Sequence, residues 1–275
     1  MKQPSPLKRF FLRWACILIG LYLVVVVAAM FFENTLVYIG AGNHWKKPGE
    51  RFEEKLITVG DVSSMSAWWL PKSKGPTNSA LVFFCGNGGS ASGCGNLANE
   101  IQKHLDCGVL LVDYPGYGKN DGNPSEAGCY ENAVAGMEWL IRDRQIPVEK
   151  IIVMGQSLGG GVAVEMASRY PVRAVVIVSS YTSLPEAARS RFPFLPTKWL
   201  MRNRFDSISK IGRIISPVFV AHGTIDRTIP YSQGETLFNA ANEPKLFLRM
   251  EGKGHNDCLN EELLKSIDQF IKRNP

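Results

Sequence analysis

In residues 153–166, VMGQSLGGGVAVEM, a serine stands between glycines where an apolar run gives way to a segment of helical pattern. An alcohol is a weak nucleophile at neutral pH. It becomes effective when a base takes its proton and a third group holds that base in the required tautomer. Residues of both types lie downstream: Asp226 in PVFVAHGTIDRTIP and His255 in LFLRMEGKGHND, each a few positions past an apolar run. Ser157, Asp226 and His255, in that chain order, would suit acyl transfer through a covalent intermediate, with Ser157 as nucleophile, His255 as base and Asp226 as orienting acid. A G-x-S-x-G match alone decides nothing in a chain with 26 glycines, because a glycine-rich turn with a capping serine looks the same. The weight falls on the three residues together.

The other candidates are weaker. His44 sits near the N-terminal apolar segment and His104 in a helical pattern, which suits surface or packing roles. His222 ends an apolar run and stands as the alternative base, although its turn gives it a structural reading. Asp206 and Asp257 follow no central strand directly. Acyl transfer further needs N–H donors aimed at the developing oxyanion. Leu158, at the start of the helical segment, offers one, and the glycine-rich stretch FFCGNGGSASG offers the second from Asn87 or Gly88.

That stretch also permits a rival reading. Gly86, Gly88 and Ala91 fit G-x-G-x-x-A, and Asp113 ends the next apolar run about where a ribose-binding acid belongs in a dinucleotide site. The motif follows the third apolar run instead of opening the sheet, however, and a nucleotide site leaves Asp226 and His255 without a purpose. Gly118-Lys119 is followed by Asn120, so there is no P-loop. Among six cysteines no C-x-x-C pair and no His/Cys cluster at zinc spacing appears. The reading therefore calls for no metal and no cofactor. Cys85 and Cys94 are a conceivable disulfide; two free buried thiols are the other reading.

The glycines around Ser157 make physical sense if a strand ends at Gly155 and turns sharply into a helix. Side chains at Gly155 or Gly159 would then collide with the packed turn. Eight apolar runs recur along the chain: EKLITV, MSAWWL, ALVFFC, GVLLVD, KIIVMG, AVVIVSS, PVFVAHG and KLFLRM. The first two lack room for a helix between them and predict an antiparallel pair. The later runs are separated by segments of crossover length, which predicts a mostly parallel sheet flanked by helices, an α/β fold. One catalytic domain is expected over residues 34–275. Within it, residues 181–211 break the rhythm with Pro185, Pro193 and Pro196 among aromatic and arginine residues. They read as a short cap over the carboxyl ends of the strands, where open α/β sheets bind ligands.

Residues 14–32, WACILIGLYLVVVVAAMFF, form an uncharged apolar run close to the ~20 residues that cross a bilayer as a helix. Lys2, Lys8, Arg9 and Arg13 precede it and Glu33 follows. Although Lys46 and Lys47 reduce the asymmetry, the charges favour a cytoplasmic N-terminus and an extracytoplasmic remainder. Residues 1–33 are thus read as a signal-anchor, a single transmembrane helix. A cleaved signal peptide, with Val27 and Ala29 flanking the cut, competes with it but has a shorter apolar core as a rule. The net charge of +6 comes from scattered basic residues with no nucleic-acid motif, and suits a surface near anionic lipid better than a nucleic-acid partner.

With these residues in place, the sequence resembles the α/β-hydrolase superfamily, and within it the small membrane-tethered serine hydrolases of the abhydrolase-domain type, over roughly residues 34–275. The resemblance rests on DYPGYGKNDGNPSE, GQSLGGG, HGTIDRTIP and GKGHND. It implies the same three roles for Ser157, Asp226 and His255. Two departures stand out: Cys85, where many relatives carry histidine, and Asn120, where serine is usual. The superfamily holds esterases, thioesterases, lipases and peptidases. The expectation is a serine hydrolase for esters or thioesters of small or lipid-like acyl substrates. A serine peptidase and a non-catalytic membrane-tethered binding protein are the alternatives. In ARSRFPFLPTKWLMRNRF, apolar side chains are expected to line an acyl pocket while Arg189, Arg191, Lys198, Arg202 and Arg204 face headgroups.

Overall fold

Runs rich in Val, Ile, Leu and Phe with no polar alternation suit strands covered on both faces. All eight runs are strands in the computed structural model, which describes residues 6–42, 46–60 and 63–274; Lys2 and His44 lie outside them. The strands are β1 (Glu53–Val59), β2 (Ser63–Leu70), β3 (Ala80–Phe84), β4 (Gly108–Val112), β5 (Ile151–Gln156), β6 (Ala174–Val178), β7 (Val218–Gly223) and β8 (Lys245–Met250). They form one sheet in the order β1-β2-β4-β3-β5-β6-β7-β8. β1 pairs antiparallel with β2, and β2 antiparallel with β4; every pairing from β4 to β8 is parallel.

The pleat divides the core in two. Val82, Phe84, Val153 and Ile177 point to one face and pack with Tyr38, Val162 and Phe205, whereas Leu81, Phe83, Met154 and Val176 point to the other and pack with Ile101 and Ile267. This is the period of 2 expected of a strand, with both faces apolar because helices cover both.

Ten α-helices are seen among the described residues. The first two are α1 (Pro6–Phe31) and α2 (Glu33–Val37); α3 (Gly95–Leu105), α4 (Glu126–Glu138) and α5 (Leu158–Arg169) follow β3, β4 and β5. The segment read as a cap carries three short helices, α6 (Leu184–Arg191), α7 (Thr197–Leu200) and α8 (Ile208–Ile211). α9 (Tyr231–Ala240) precedes β8, and α10 (Glu261–Arg273) closes the chain.

α1 has 26 residues, none buried, so at about 1.5 Å per residue it is roughly 39 Å long, against about 30 Å of bilayer hydrocarbon. It is long and apolar enough to cross a membrane by length and composition. It also touches the cap: Tyr22 Oη donates to the Phe194 carbonyl at 2.9 Å.

Candidate active site

β5 delivers its last residues to the carboxyl edge of the sheet, and the chain reverses at Ser157, whose φ of 53° and ψ of −117° lie in a region that costs a non-glycine residue conformational energy. Neighbours hold it there. Ser157 N–H donates to the Val178 carbonyl at 2.9 Å, and Ser180 Oγ donates to the Ser157 carbonyl at 2.8 Å. The glycines around it have the steric reason inferred from their pattern. A Cβ on Gly155 would lie 1.9 Å from the Gly159 carbonyl oxygen, and one on Gly159 would lie 2.0 Å from that of Phe84.

The turns after β7 and β8 bring Asp226 and His255 to this serine. His255 Nε2 lies 3.0 Å from Ser157 Oγ, and His255 Nδ1 lies 2.7 Å from Asp226 Oδ2. The carboxylate at Nδ1 fixes the neutral tautomer by this network: Nδ1 carries the proton, and the Nε2 lone pair faces the hydroxyl. Asp226 Oδ1 accepts the Thr228 and Ile229 amides at 2.8 and 2.9 Å. Burial alone would raise the Asp226 pKa, but donation from His222, His255 and the Ile229 amide outweighs it and holds the carboxyl well below its usual range. Asp226 is therefore held as an anion beside the imidazole.

His222, the alternative base, is fully buried behind Asp226. Its Nε2 lies 3.0 Å from the Ile229 carbonyl and 3.3 Å from Asp226 Oδ2, the same carboxylate oxygen that His255 Nδ1 contacts. Asp257 accepts the Gly254 amide at 2.9 Å and shapes the turn that carries His255. Asp206 caps the Ser209 amide at 3.4 Å. His104 lies in α3, 3.9 Å from Glu100.

Leu158 contributes the first amide of α5, which has no acceptor within the helix. Asn87 faces Ser157 across a shared cavity. Its peptide is held firmly, because its carbonyl accepts from Gly40 N–H and Tyr117 Oη, both at 2.8 Å, and its Nδ2 donates to the Val37 carbonyl at 2.8 Å. At Gly88, the next residue, a Cβ would lie 3.6 Å from the Ile39 side chain. Asp113 is occupied within the fold: it is buried and accepts the Ala91 amide at 2.7 Å, so it tethers the loop that the nucleotide reading would have placed around a pyrophosphate. Asn120, at the second departure from the family pattern, accepts the Ser66 amide at 2.7 Å and so ties β2 to the loop after β4.

The cavity above Ser157 is about 220 Å³, with Leu158, Tyr181, Leu184, Leu195, Met201 and Ile229 among its lining residues. Ala29 of α1 and Glu33, Leu36 and Val37 of α2 complete one wall. The sequence does not reveal this contribution. Glu33, read there as the charge that ends a membrane span, is buried and accepts four N–H groups from Arg202 and Asn203 at 2.8–3.1 Å. Burial pushes its pKa up, but these donors outweigh that and the carboxyl ends below its ordinary value. Arg202 is thus tied to Glu33, Arg189 pairs with Glu186 at 2.9 Å, and Arg204 Nη1 donates to the Lys198 carbonyl at 3.1 Å. Of the basic cap residues, Arg191 lines the cavity.

The comparisons agree with this architecture. Residues 79–208 match the model of the alpha/beta hydrolase fold family. An uncharacterized protein of Mycobacterium tuberculosis is 36% identical over 202 residues, 74% of this chain and 72% of its own. Human alpha/beta hydrolase domain-containing protein 17B is 34% identical over 196 residues, 70% of this chain and 66% of its own. Among solved structures, an alpha-beta hydrolase from Vibrio vulnificus superposes with a TM-score of 0.68 at 18% identity, covering 98% of this chain and 95% of that one. An esterase of Pyrococcus furiosus superposes with a TM-score of 0.67 at 18% identity, covering 81% of this chain and 91% of that one. The chain belongs to the α/β-hydrolase superfamily and has its hydrolase fold.

Proposed function

We propose that this protein is a serine hydrolase that cleaves esters or thioesters through an acyl-enzyme. The observation that carries this reading is the continuous chain of contacts from Ser157 Oγ through His255 to Asp226, opening into an apolar cavity. Ser157 Oγ attacks the acyl carbon as its proton passes to His255 Nε2, and the imidazolium is stabilised by the Asp226 carboxylate. The Leu158 amide and a donor at Asn87 or Gly88 receive the oxyanion. His255 then protonates the leaving alcohol or thiol, and water attacks the acyl-enzyme by the same route in reverse. A fluorophosphonate probe is expected to label the wild-type protein and not Ser157→Ala. Equal labelling of the two would overturn the assignment.

The proposed domain division is an anchor over residues 1–33 and a catalytic domain over 34–275 capped by 181–211, with the N-terminus cytoplasmic and the catalytic domain across the membrane. A C-terminal reporter active only in the cytoplasm would contradict that topology. The apolar cavity beside the end of α1 favours acyl chains presented at a membrane. Hydrolysis of p-nitrophenyl esters is expected to improve from acetate to medium and long chains and to respond to anionic vesicles. A rate highest for acetate and indifferent to vesicles would remove the lipid-facing part of the proposal and leave the hydrolase intact.

A further inference from the structure

The loop carrying Asn87 begins and ends with a cysteine. Cys85 follows the last residue of β3, and Cys94 ends the short 3₁₀ turn Ala91–Cys94 that leads into α3. Both are free thiols, and their Sγ atoms are 3.0 Å apart, within about 1 Å of the ~2.05 Å of a disulfide. The two sulfurs differ in access. Cys85 is buried, and its thiol pKa is pushed up by its hydrogen bond with Cys94 and by burial, whereas Cys94 is half-buried.

We propose that Cys85 and Cys94 form a reversible dithiol–disulfide site that covalently closes the 86–93 loop, and that its oxidant is a small disulfide such as oxidised glutathione. The Cys94 thiolate attacks one sulfur of the oxidant, forming a mixed disulfide and expelling one thiolate. The Cys85 thiol gives up its proton and attacks Cys94 Sγ at the distance already set, expelling the second thiol. The two protein thiols lose two electrons and two protons, and the oxidant is reduced to two thiols.

The strand side of the pair cannot move far. Phe84, next to Cys85, is in register with Val112 of β4 and Gly155 of β5, and the Cys85 carbonyl accepts Tyr114 Oη at 2.8 Å. The remaining ångström is taken up by the turn around Cys94, where Gly93 has no neighbour within 4 Å of its Cβ direction. Asn87 keeps its three anchoring hydrogen bonds, so closure fixes the loop without displacing the donor. Its consequence is stability, because the crosslink removes freedom from the unfolded chain.

The test uses the full chain in detergent, reduced and then equilibrated in glutathione buffers of increasing oxidation before alkylation. The peptide spanning residues 75–103 contains both cysteines and is expected to become lighter by two hydrogens and to resist alkylation. The apparent Tm is expected to rise by roughly 5 °C. In Cys85→Ser the mixed disulfide should remain on Cys94, and in Cys94→Ser the buried Cys85 should stay reduced. A wild-type protein that stops at a glutathione adduct on Cys94, or keeps both thiols in fully oxidised glutathione, would refute the site. The mass readout is independent of whether Ser157 turns over any ester.

Discussion

The floor of the cavity and its roof are built by different means. The floor consists of strand ends and the tight turns that follow them, and each group is held by close neighbours: Ser157 by Val178 and Ser180 at the end of the adjoining strand, Asp226 by Thr228 and Ile229 of its own turn. The roof joins α1 and α2 to the cap through contacts about 170 positions apart, of which Glu33 with Arg202 and Asn203 is the centre. Tyr38 Oη extends the joint by donating to Asn203 Oδ1 at 2.7 Å, and Glu126 accepts the Arg204 amide at 2.6 Å. Chemistry needs positions fixed to fractions of an ångström and a pocket wall does not, so the floor is expected to fail all at once and the roof by degrees.

The largest expected effect lies at the floor. Ser157→Ala should lower the rate of ester hydrolysis by at least about a thousandfold and leave the melting temperature close to that of the wild type, since alanine inherits the same backbone. A variant that retains a tenth of the activity would mean that another nucleophile is at work. Gly159→Ala should prevent folding or destabilise it by about 4 kcal/mol or more, because the new methyl group meets the Phe84 carbonyl and neither backbone can yield. Circular dichroism and thermal unfolding would read this directly. A folded, stable alanine variant would show that the elbow is less tightly packed than its distances indicate.

At the roof, Glu33→Ala leaves the Arg202 and Asn203 amides without their acceptor, at a cost of about 2 kcal/mol. We expect KM for long-chain esters to rise several-fold while hydrolysis of a p-nitrophenyl acetate changes less than threefold, because the triad geometry does not depend on this joint. Equal losses on both substrates would mean that Glu33 supports the floor as well. The pH dependence follows from the lowered pKa: the stabilisation by Glu33 is present above the carboxylate value of the unfolded chain, near 4.3, and is lost as pH falls through the lower folded value. Acid should therefore weaken the roof of the wild type and leave the alanine variant indifferent in that range.

The same contrast explains what the sequence reveals. Every strand was legible because the apolar runs are short and lie between segments of different pattern, and the elbow was legible because its steric demands are met by glycines within four positions. Ser157, Asp226 and His255 follow strand ends, so their convergence could be read from topology. Glu33 could not. A lone carboxylate after an apolar run has the same local sequence whether it marks a membrane boundary or accepts four hydrogen bonds from a distant segment. The pairing of Arg202 with Glu33 was hidden for the same reason, because its partner lies far away in the chain. Asp113 differs again: the place of its motif in the chain already argued against a ribose-binding acid, but its role as a buried acceptor for the Ala91 amide is a contact across 22 positions that no local pattern marks.

Asp113 also provides the smallest and most specific prediction. Burial pushes its pKa up to about 6, against the opposing pull of the Ala91 amide, whereas in the unfolded chain it should titrate near 3.9. Between about pH 4 and pH 6 the folded protein holds a proton that the unfolded chain has released, so this residue makes stability fall as pH rises through that window and leaves it lower above it. Asp113→Asn keeps an oxygen for the Ala91 amide and removes the buried charge. The variant is therefore expected to match the wild type near pH 4 and to exceed it by about 1–2 kcal/mol near pH 8, read as the difference between two denaturant titrations. The loop that carries Asn87 rests on this side chain, so the floor's positional accuracy would have a measurable cost in stability at neutral pH. An asparagine variant that is less stable than the wild type at both pH values would show instead that the charged carboxylate is the better tether and that the hydrogen bond to Ala91 outweighs its burial.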